Sequence, residues 1–244
     1  MTSAARVARA DVAFILLVHN EVDTIDAELR EIATTIVSEL PSVDFIVAED
    51  GSRDGTREKL VALQPELGFR LVGGGERKGY ARAWKDALAA ANAEWICICD
   101  GGLKHDPHDF WKLYEARNGA DLVVGRKTNR KDPLYRQTLT KAFNLVLRLY
   151  FGIDVHDADS GLRIMHHSVF DRIVRPGLSF HGFVSTELVV RAVSLGMRYR
   201  EVPIEYRRRA GGASRALPLK NIPRAVVQVL GDLRNLKHEL SSPH

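Results

Sequence analysis

Cysteine is scarce in this chain, with two residues among 244, Cys97 and Cys99. That excludes a disulfide-built scaffold. Both lie in the strand-like run Trp95-Ile96-Cys97-Ile98-Cys99, where residues two apart share a face and a bridge between them would demand distorted geometry. Buried free thiols in a reducing, cytoplasmic compartment are expected. Long apolar runs are missing as well: none approaches the ~18 residues that span a bilayer. Met1 to Ala10 carry two arginines and no apolar stretch, so no secretory leader is read there, and a soluble or membrane-peripheral protein is expected. No repeat or low-complexity segment interrupts the sequence. No glycine-rich loop follows the first strand-like run, which argues against a dinucleotide-binding dehydrogenase and against a nucleotidyltransferase. Gly73-Gly74-Gly75 follows the third such run and reads as a plain loop. Charge of one sign is not in large excess: the formal net charge is +4, too weak to indicate a nucleic-acid partner.

What is present is an ordinary globular composition, 45% hydrophobic and 27% charged. Short apolar runs at 13–18, 45–48, 69–72, 95–99 and 122–124 alternate with helical spacing at 24–40, 57–63, 80–91 and 107–118. This alternation predicts an α/β fold, a mostly parallel sheet flanked by helices. Beyond Gly125 follow a helix at 134–151, a strand at 161–165, a helix at 186–195 and a strand at 202–206, where Pro203 marks an edge. Residues 218–240 carry an apolar stripe, Leu219, Ile222, Val226, Val229, Leu233, Leu236 and Leu240, at helical spacing. That stripe either packs on the core or lies in a membrane interface. Residues 11–215 are read as one domain and 216–244 as an amphipathic helix and tail. Arg191, Arg198, Arg200, Arg207, Arg208, Arg209, Arg215, Lys220 and Arg224 crowd the C-terminal quarter, as a solvated face or as a surface for an anionic partner.

Ligands of such sheets bind beyond the carboxyl ends of the strands. Three of those loops are acidic: His19-Asn20-Glu21, Glu49-Asp50-Gly51-Ser52-Arg53-Asp54-Gly55-Thr56, and Asp100-Gly101-Gly102-Leu103-Lys104-His105-Asp106-Pro107. Converging carboxylates accept hydrogen bonds from a nucleobase or ribose, or ligate a divalent cation. Alone, each loop is also a common turn or helix cap.

In that order the loops resemble the family 2 glycosyltransferases of GT-A (nucleotide-diphospho-sugar transferase) fold, in particular the dolichol- and polyprenol-phosphate sugar transferases. His19-Asn20-Glu21 stands for Tyr-Asn-Glu, and Glu49 to Thr56 for Asp-Asp-Gly-Ser-x-Asp-Gly-Thr. Lys78-Gly79-Tyr80-Ala81-Arg82-Ala83 echoes Asn-x-Gly-x-x-x-Ala. Ser160-Gly161-Leu162-Arg163 with Asp157 upstream, Glu201-Val202-Pro203-Ile204, and Arg209-x-x-Gly212-x-Ser214-Arg215 match later elements.

The resemblance implies an inverting transfer of a hexose from GDP-mannose or a UDP-sugar to a polyprenol phosphate. Other readings are a soluble hydroxyl acceptor or a non-catalytic nucleotide-sugar-binding relative. It assigns the donor to Val18, Asn20, Glu21, Ala48, Asp50, Lys78, Asp100 and Gly101. Acceptor and phosphates fall to Lys127, Arg136, Asp157, Arg209, Ser214 and Arg215, and the chemical step to Asp100, Lys104 and Arg136. A hydroxyl acceptor would need a base, for which Asp157, Asp159 and His156 are nearest. One departure stands out. The family's Asp-x-Asp-x-Gln metal motif reads Asp100-Gly101-Gly102-Leu103-Lys104, leaving Asp100 as the one expected ligand for Mg²⁺ or Mn²⁺. Either a cation binds through Asp100 and the diphosphate, or Lys104 replaces it and transfer is metal-independent.

Overall fold

The computed structural model describes residues 9–128, 134–180, 182–207 and 222–241, the side chains of Arg136, Ile222 and Pro223 excepted. Seven strands form one sheet: β1 (Ala10–Val18), β2 (Val43–Glu49), β3 (Arg70–Gly73), β4 (Ala93–Asp100), β5 (Leu122–Thr128), β6 (Leu162–His166) and β7 (Tyr199–Glu205). Their spatial order is β3-β2-β1-β4-β6-β5-β7. All pairings are parallel except those of β6, which runs against both β4 and β5.

The central strands are apolar throughout because both sheet faces are covered. Ala13, Ile15 and Leu17 of β1 enter one core cluster, while Val12, Phe14, Leu16 and Val18 enter the other. Cys97 and Cys99 point with the second set, buried and unbridged, and burial drives both thiol pKa values upward.

The helices are α1 (Ile25–Ile32, continued by a π turn at Ala33–Val37), α2 (Thr56–Leu67), α3 (Tyr80–Ala90), α4 (Asp109–Ala116), α5 (Leu134–Phe151), α6 (His167–Val169, with a π turn to Val174), α7 (Val184–Ser194) and α8 (Ile222–Ser241). Two departures from the sequence reading have simple causes. Helix α2 runs past Leu63 to Leu67 with Pro65 inside its last turn, and Gly68 ends it at φ +67°. The segment 167–174, too short for a period to show, is helical. Strand β7 is an outer strand, as Pro203 led one to expect. Helix α8 buries Val229, Leu233 and Leu236 in the first core cluster, so that part of its apolar stripe packs on the domain.

Chain order is what positions the site. The chain steps from β1 outward to β2 and β3, then returns to place β4 on the other side of β1. That reversal opens a crevice at the carboxyl ends of β1 and β4.

Candidate active site

The loops after β1 and β2 interlock. Asp50 N–H donates to Val18 O at 3.0 Å. Asn20 N–H donates to Ser52 Oγ at 2.8 Å, and Asn20 Oδ1 accepts Arg53 N–H at 2.8 Å. Glu21 N–H donates to Thr56 Oγ1 at 2.8 Å, and Asn20 takes φ +54° to make the turn. Glu49, standing where the family has Asp, is buried. Its carboxylate accepts Ser52 N–H and pairs with Arg57, so it braces the loop from within.

The Asp50 carboxylate accepts Lys78 N–H at 2.7 Å and Gly79 N–H at 3.1 Å, immediately before α3 begins. One residue on, the Tyr80 hydroxyl donates to Asp100 Oδ1 at 3.1 Å. The start of α3 therefore ties the end of β2 to the end of β4. A cleft beside it is lined by Ala48, Asp50, Val72, Gly74, Lys78 and Ala87. The Lys78 ammonium itself turns outward to Asp86 at 2.6 Å.

Asp100 ends β4. Its N–H donates to Gly161 O at 2.9 Å, and any side chain at Gly161 would collide with its carboxylate. Gly101 N–H donates to Leu17 O at 2.8 Å, so close that a Cβ at Gly101 would lie 2.7 Å from that oxygen. Gly102 has φ +95°, and a Cβ there would come within 3.2 Å of both Glu21 carboxylate oxygens. Glu21 and the Asp100 loop thus meet at one rim. Beneath them Glu28 of α1 accepts Gly102 N–H and Leu103 N–H, both at 2.9 Å. Burial raises the Glu28 carboxyl to about 7, against the pull of those two backbone donors.

Lys104 follows, half-buried; its carbonyl accepts Arg207 N–H at 3.0 Å. Lys127 of β5 is likewise half-buried, its ammonium 5.5 Å from the Tyr206 ring. Their charges reach nearby carboxyls, Lys104 acting on Glu28 and Lys127 on Asp159. Between the two lysines sits His105, buried, whose pKa falls to about 3 through desolvation and the nearby Lys127 charge. It stays neutral, so it adds nothing to the positive charge there.

Asp157 is buried and accepts Lys127 N–H at 3.1 Å. Glu201 fixes that turn by accepting His156 N–H at 2.7 Å, Asp157 N–H at 3.0 Å and the Tyr199 hydroxyl at 2.8 Å. Asp159 keeps an exposed surface, while its carboxyl feels Lys127, Arg163, Asp100 and Asp157. Desolvation raises its carboxyl to about 6, helped by Asp100 and Asp157 and opposed by Lys127 and Arg163. Arg163 of β6 is 1% exposed; Nη2 donates to Ser160 O, while Nε and Nη1 find no partner among the described residues.

Of the residues singled out from sequence, Val18, Asn20, Glu21, Ala48, Asp50, Lys78, Asp100, Gly101, Lys104, Lys127 and Asp157 all come to this rim of the sheet. Arg136 falls in the first turn of α5, and its side chain lies outside the described residues, as do Arg209, Ser214 and Arg215. Three further residues shape the site: Glu28, which was not singled out, and Tyr80 and Glu201, which were quoted in motifs but given no role. Glu28 left a trace in the sequence, a carboxylate on the same helix face as Ile25, Leu29 and Ile32, where burial demands a partner. Three of the C-terminal arginines are paired. Arg191 pairs with Glu187 and Glu239, Arg198 with Asp121, and Arg207 with Glu31 and Asp106.

The donor set does not fit a divalent cation held by several protein ligands. Among the described residues no three His, Cys, Asp or Glu side chains gather in a group able to hold one. Asp100 offers one carboxylate, Gly102 none, and Lys104 a positive charge.

Comparison with known proteins agrees with the geometry. The chain is 29% identical over 215 residues to the glycosyltransferase AglD of Haloferax volcanii, covering 84% of this chain and 34% of that protein. It is 29% identical over 214 residues to the polyprenol monophosphomannose synthase of Mycolicibacterium smegmatis, covering 78% and 76%. It is 26% identical to the dodecaprenyl-phosphate galacturonate synthase of Rhizobium johnstonii, covering 84% and 61%. The chain therefore spans about a third of the first relative and less than two thirds of the third. Among solved structures, glucosyl-3-phosphoglycerate synthase from Mycobacterium tuberculosis, in complex with Mn²⁺, UDP and phosphoglyceric acid, superposes with a TM-score of 0.69 at 20% identity, covering 96% of this chain and 80% of that one. That likeness establishes the GT-A fold. The family description "Glycosyl transferase family 2" matches residues 13–174, about two thirds of the sequence, and the chain belongs to that family of glycosyltransferases.

Proposed function

We propose that the protein moves a hexose, with inversion, from a nucleoside-diphosphate sugar, GDP-mannose or a UDP-sugar, to a polyprenol phosphate. The observation that carries this reading is the meeting of Glu21, Asp50 and Asp100 at one rim beside two ammonium groups, Lys104 and Lys127. The carboxylates suit the hydrogen-bond donors of a base and a ribose. The two cations suit an anion, and a diphosphate leaving group and a lipid phosphate both bring one.

In this scheme Asp50 releases the N–H groups of Lys78 and Gly79 in favour of the base, Glu21 holds the ribose, and Asp100 orients the sugar. The backbone at Val18, Ala48 and Gly101 lets the donor approach closely. Lys104 takes up the charge that grows on the departing diphosphate. Lys127, with Arg136, Arg209, Ser214 and Arg215 on motif match alone, holds the acceptor phosphate, and Asp157 fixes Lys127 through its backbone. A lipid phosphate arrives already ionised, so no general base is required. The relatives named for polyprenol-linked products support this acceptor. The Mn²⁺-bound structural neighbour shows what a related fold can hold. This chain's own residues do not supply the ligands, and Lys104 is assigned the cation's part. The reaction then takes place at the cytoplasmic face of a membrane; among the described residues no helix is long and apolar enough to cross one.

The test is a transfer assay with GDP-mannose and UDP-sugars in turn, offering a short-chain polyprenol phosphate and the matching polyprenol alcohol. Product on the phosphate alone is expected. Product on the alcohol, or on a soluble hydroxyl with none on the lipid phosphate, would replace this acceptor. Nucleotide binding in calorimetry without transfer to any acceptor would mean a binding protein.

A further inference from the structure

Helix α5 leaves an unusual face uncovered. Leu134 is 80% exposed and Leu149 78%, with Leu145, Leu139 and Val146 also open to solvent. These are not scattered positions. Leu139, Ala142, Val146 and Leu149 follow one another at spacings of three and four, and Leu134 and Leu145 lie three turns apart beside them, so all fall on one broad side of the helix. The opposite side does the packing: Leu147 is fully buried, and Asn144 Oδ1 accepts Ala158 N–H at 3.3 Å. A soluble domain does not ordinarily present a contiguous row of large aliphatic groups along an 18-residue helix.

Charge says what the row faces. The segment Leu134–Phe151 contains no Asp or Glu. Lys141 and Arg148, seven residues apart and both exposed, form a basic border along the row on the side of Leu145, Arg148 lying 3.6 Å from the Asp154 carboxylate just beyond the helix. Two copies of this chain meeting through the row would bring these borders together with no acidic group on the helix to answer them. An anionic lipid leaflet answers the cations with headgroups and the aliphatic row with acyl chains.

We propose that the exposed face of α5 is the surface by which this protein docks on an anionic membrane. The tail helix, which the sequence stripe had offered for that role, turns Val229, Leu233 and Leu236 inward and leaves a shorter group, Val226, Val227 and Leu230, open to solvent. Helix α5 follows β5, the strand that carries Lys127, in the chain. The proposal does not depend on the polyprenol reading, because lipid binding is measured without donor or acceptor.

The experiment is co-sedimentation of the full chain with sucrose-loaded vesicles of phosphatidylcholine alone and of phosphatidylcholine containing phosphatidylglycerol. It is repeated for Leu145→Gln/Leu149→Gln and for Lys141→Gln/Arg148→Gln. All four side chains are exposed, so thermal melting of both variants should match the parent. Expected are binding to the anionic vesicles that weakens with salt, at least about a tenfold loss in partitioning for the leucine pair, and a smaller, salt-independent residue for the cation pair. Absence of parent binding, or equal binding by the leucine variant, would overturn the proposal. So would a parent dimer in gel filtration that the leucine variant makes monomeric, since the row would then be a self-association surface.

Discussion

The Glu28 carboxylate accepts the Gly102 N–H at 2.9 Å from below, at the position where related sequences carry a second metal-binding aspartate. A side chain in the first turn of α1 thus holds the backbone of the loop whose chemistry has changed. With its pKa raised from 4.5 to about 7, Glu28 keeps its proton in the folded protein across a range where the unfolded chain loses it. The native state binds more protons in that window. Stability from this group is therefore complete below about pH 4.5 and lost as pH rises through 7, an effect on the order of 3 kcal/mol. Chemical denaturation at pH 5, 6, 7 and 8 should show the decline, and Glu28→Gln should flatten it. A variant with the parent's slope would remove Glu28 as its source.

Gly102 is held at φ +95° with the Glu21 carboxylate oxygens 3.2 Å from where a Cβ would stand. Restoring the family's aspartate there is accordingly expected to destabilise the protein. Gly102→Ala should cost about 1–2 kcal/mol from the backbone conformation alone. Gly102→Asp should cost more, because its charge would face Glu21. Urea midpoints of the two variants measure the difference, and an aspartate variant as stable as the parent would contradict it.

Lys104 is assigned to the leaving group. Initial rates in the lipid-phosphate assay should be unchanged by EDTA, and Lys104→Met should lower kcat by roughly 10²-fold with little change in donor affinity. Rates abolished by EDTA and restored by Mn²⁺ would return the role to a cation.

Asp159 separates the two acceptor chemistries. Its carboxyl, raised to about 6, is neutral below that pH and charged above it. A hydroxyl acceptor would make it the base, and kcat/KM would climb through pH 6 and collapse in Asp159→Asn. For a phosphate acceptor, Asp159→Asn should retain activity within a few-fold, and that is the expected result.

Much of this was legible in the sequence because its signals are local. The alternating runs gave β1, β2, β4 and β5, Pro203 gave the edge position of β7, and α5 was bounded at Leu134 and Phe151 by its own apolar spacing. The acidic loops could be placed at one rim because parallel strands put their carboxyl ends together. What escaped was set by distant partners. The reversed direction of β6 follows from its pairing with β4 and β5, nothing in Leu162–His166 itself. The bond from Tyr80 to Asp100 joins residues 20 apart, and that from Glu28 to Leu103 residues 75 apart. Periodicity revealed that α5 is a helix and that α8 is amphipathic. It could not say that α8 turns apolar residues inward while α5 leaves its row open, because that depends on which surfaces the core had already taken.

Cys97 and Cys99 lie on β4, between β1 and β6 in the middle of the sheet. Their burial, with thiol pKa values pushed upward, makes them inert to aqueous thiol reagents while the sheet stays closed. The native protein therefore carries its own clock for opening: the rate of thiol labelling reports how often the central strands separate. A single cysteine introduced at an exposed site such as Leu149 would react on a wholly different timescale, so a reporter can be placed there without first removing the native pair.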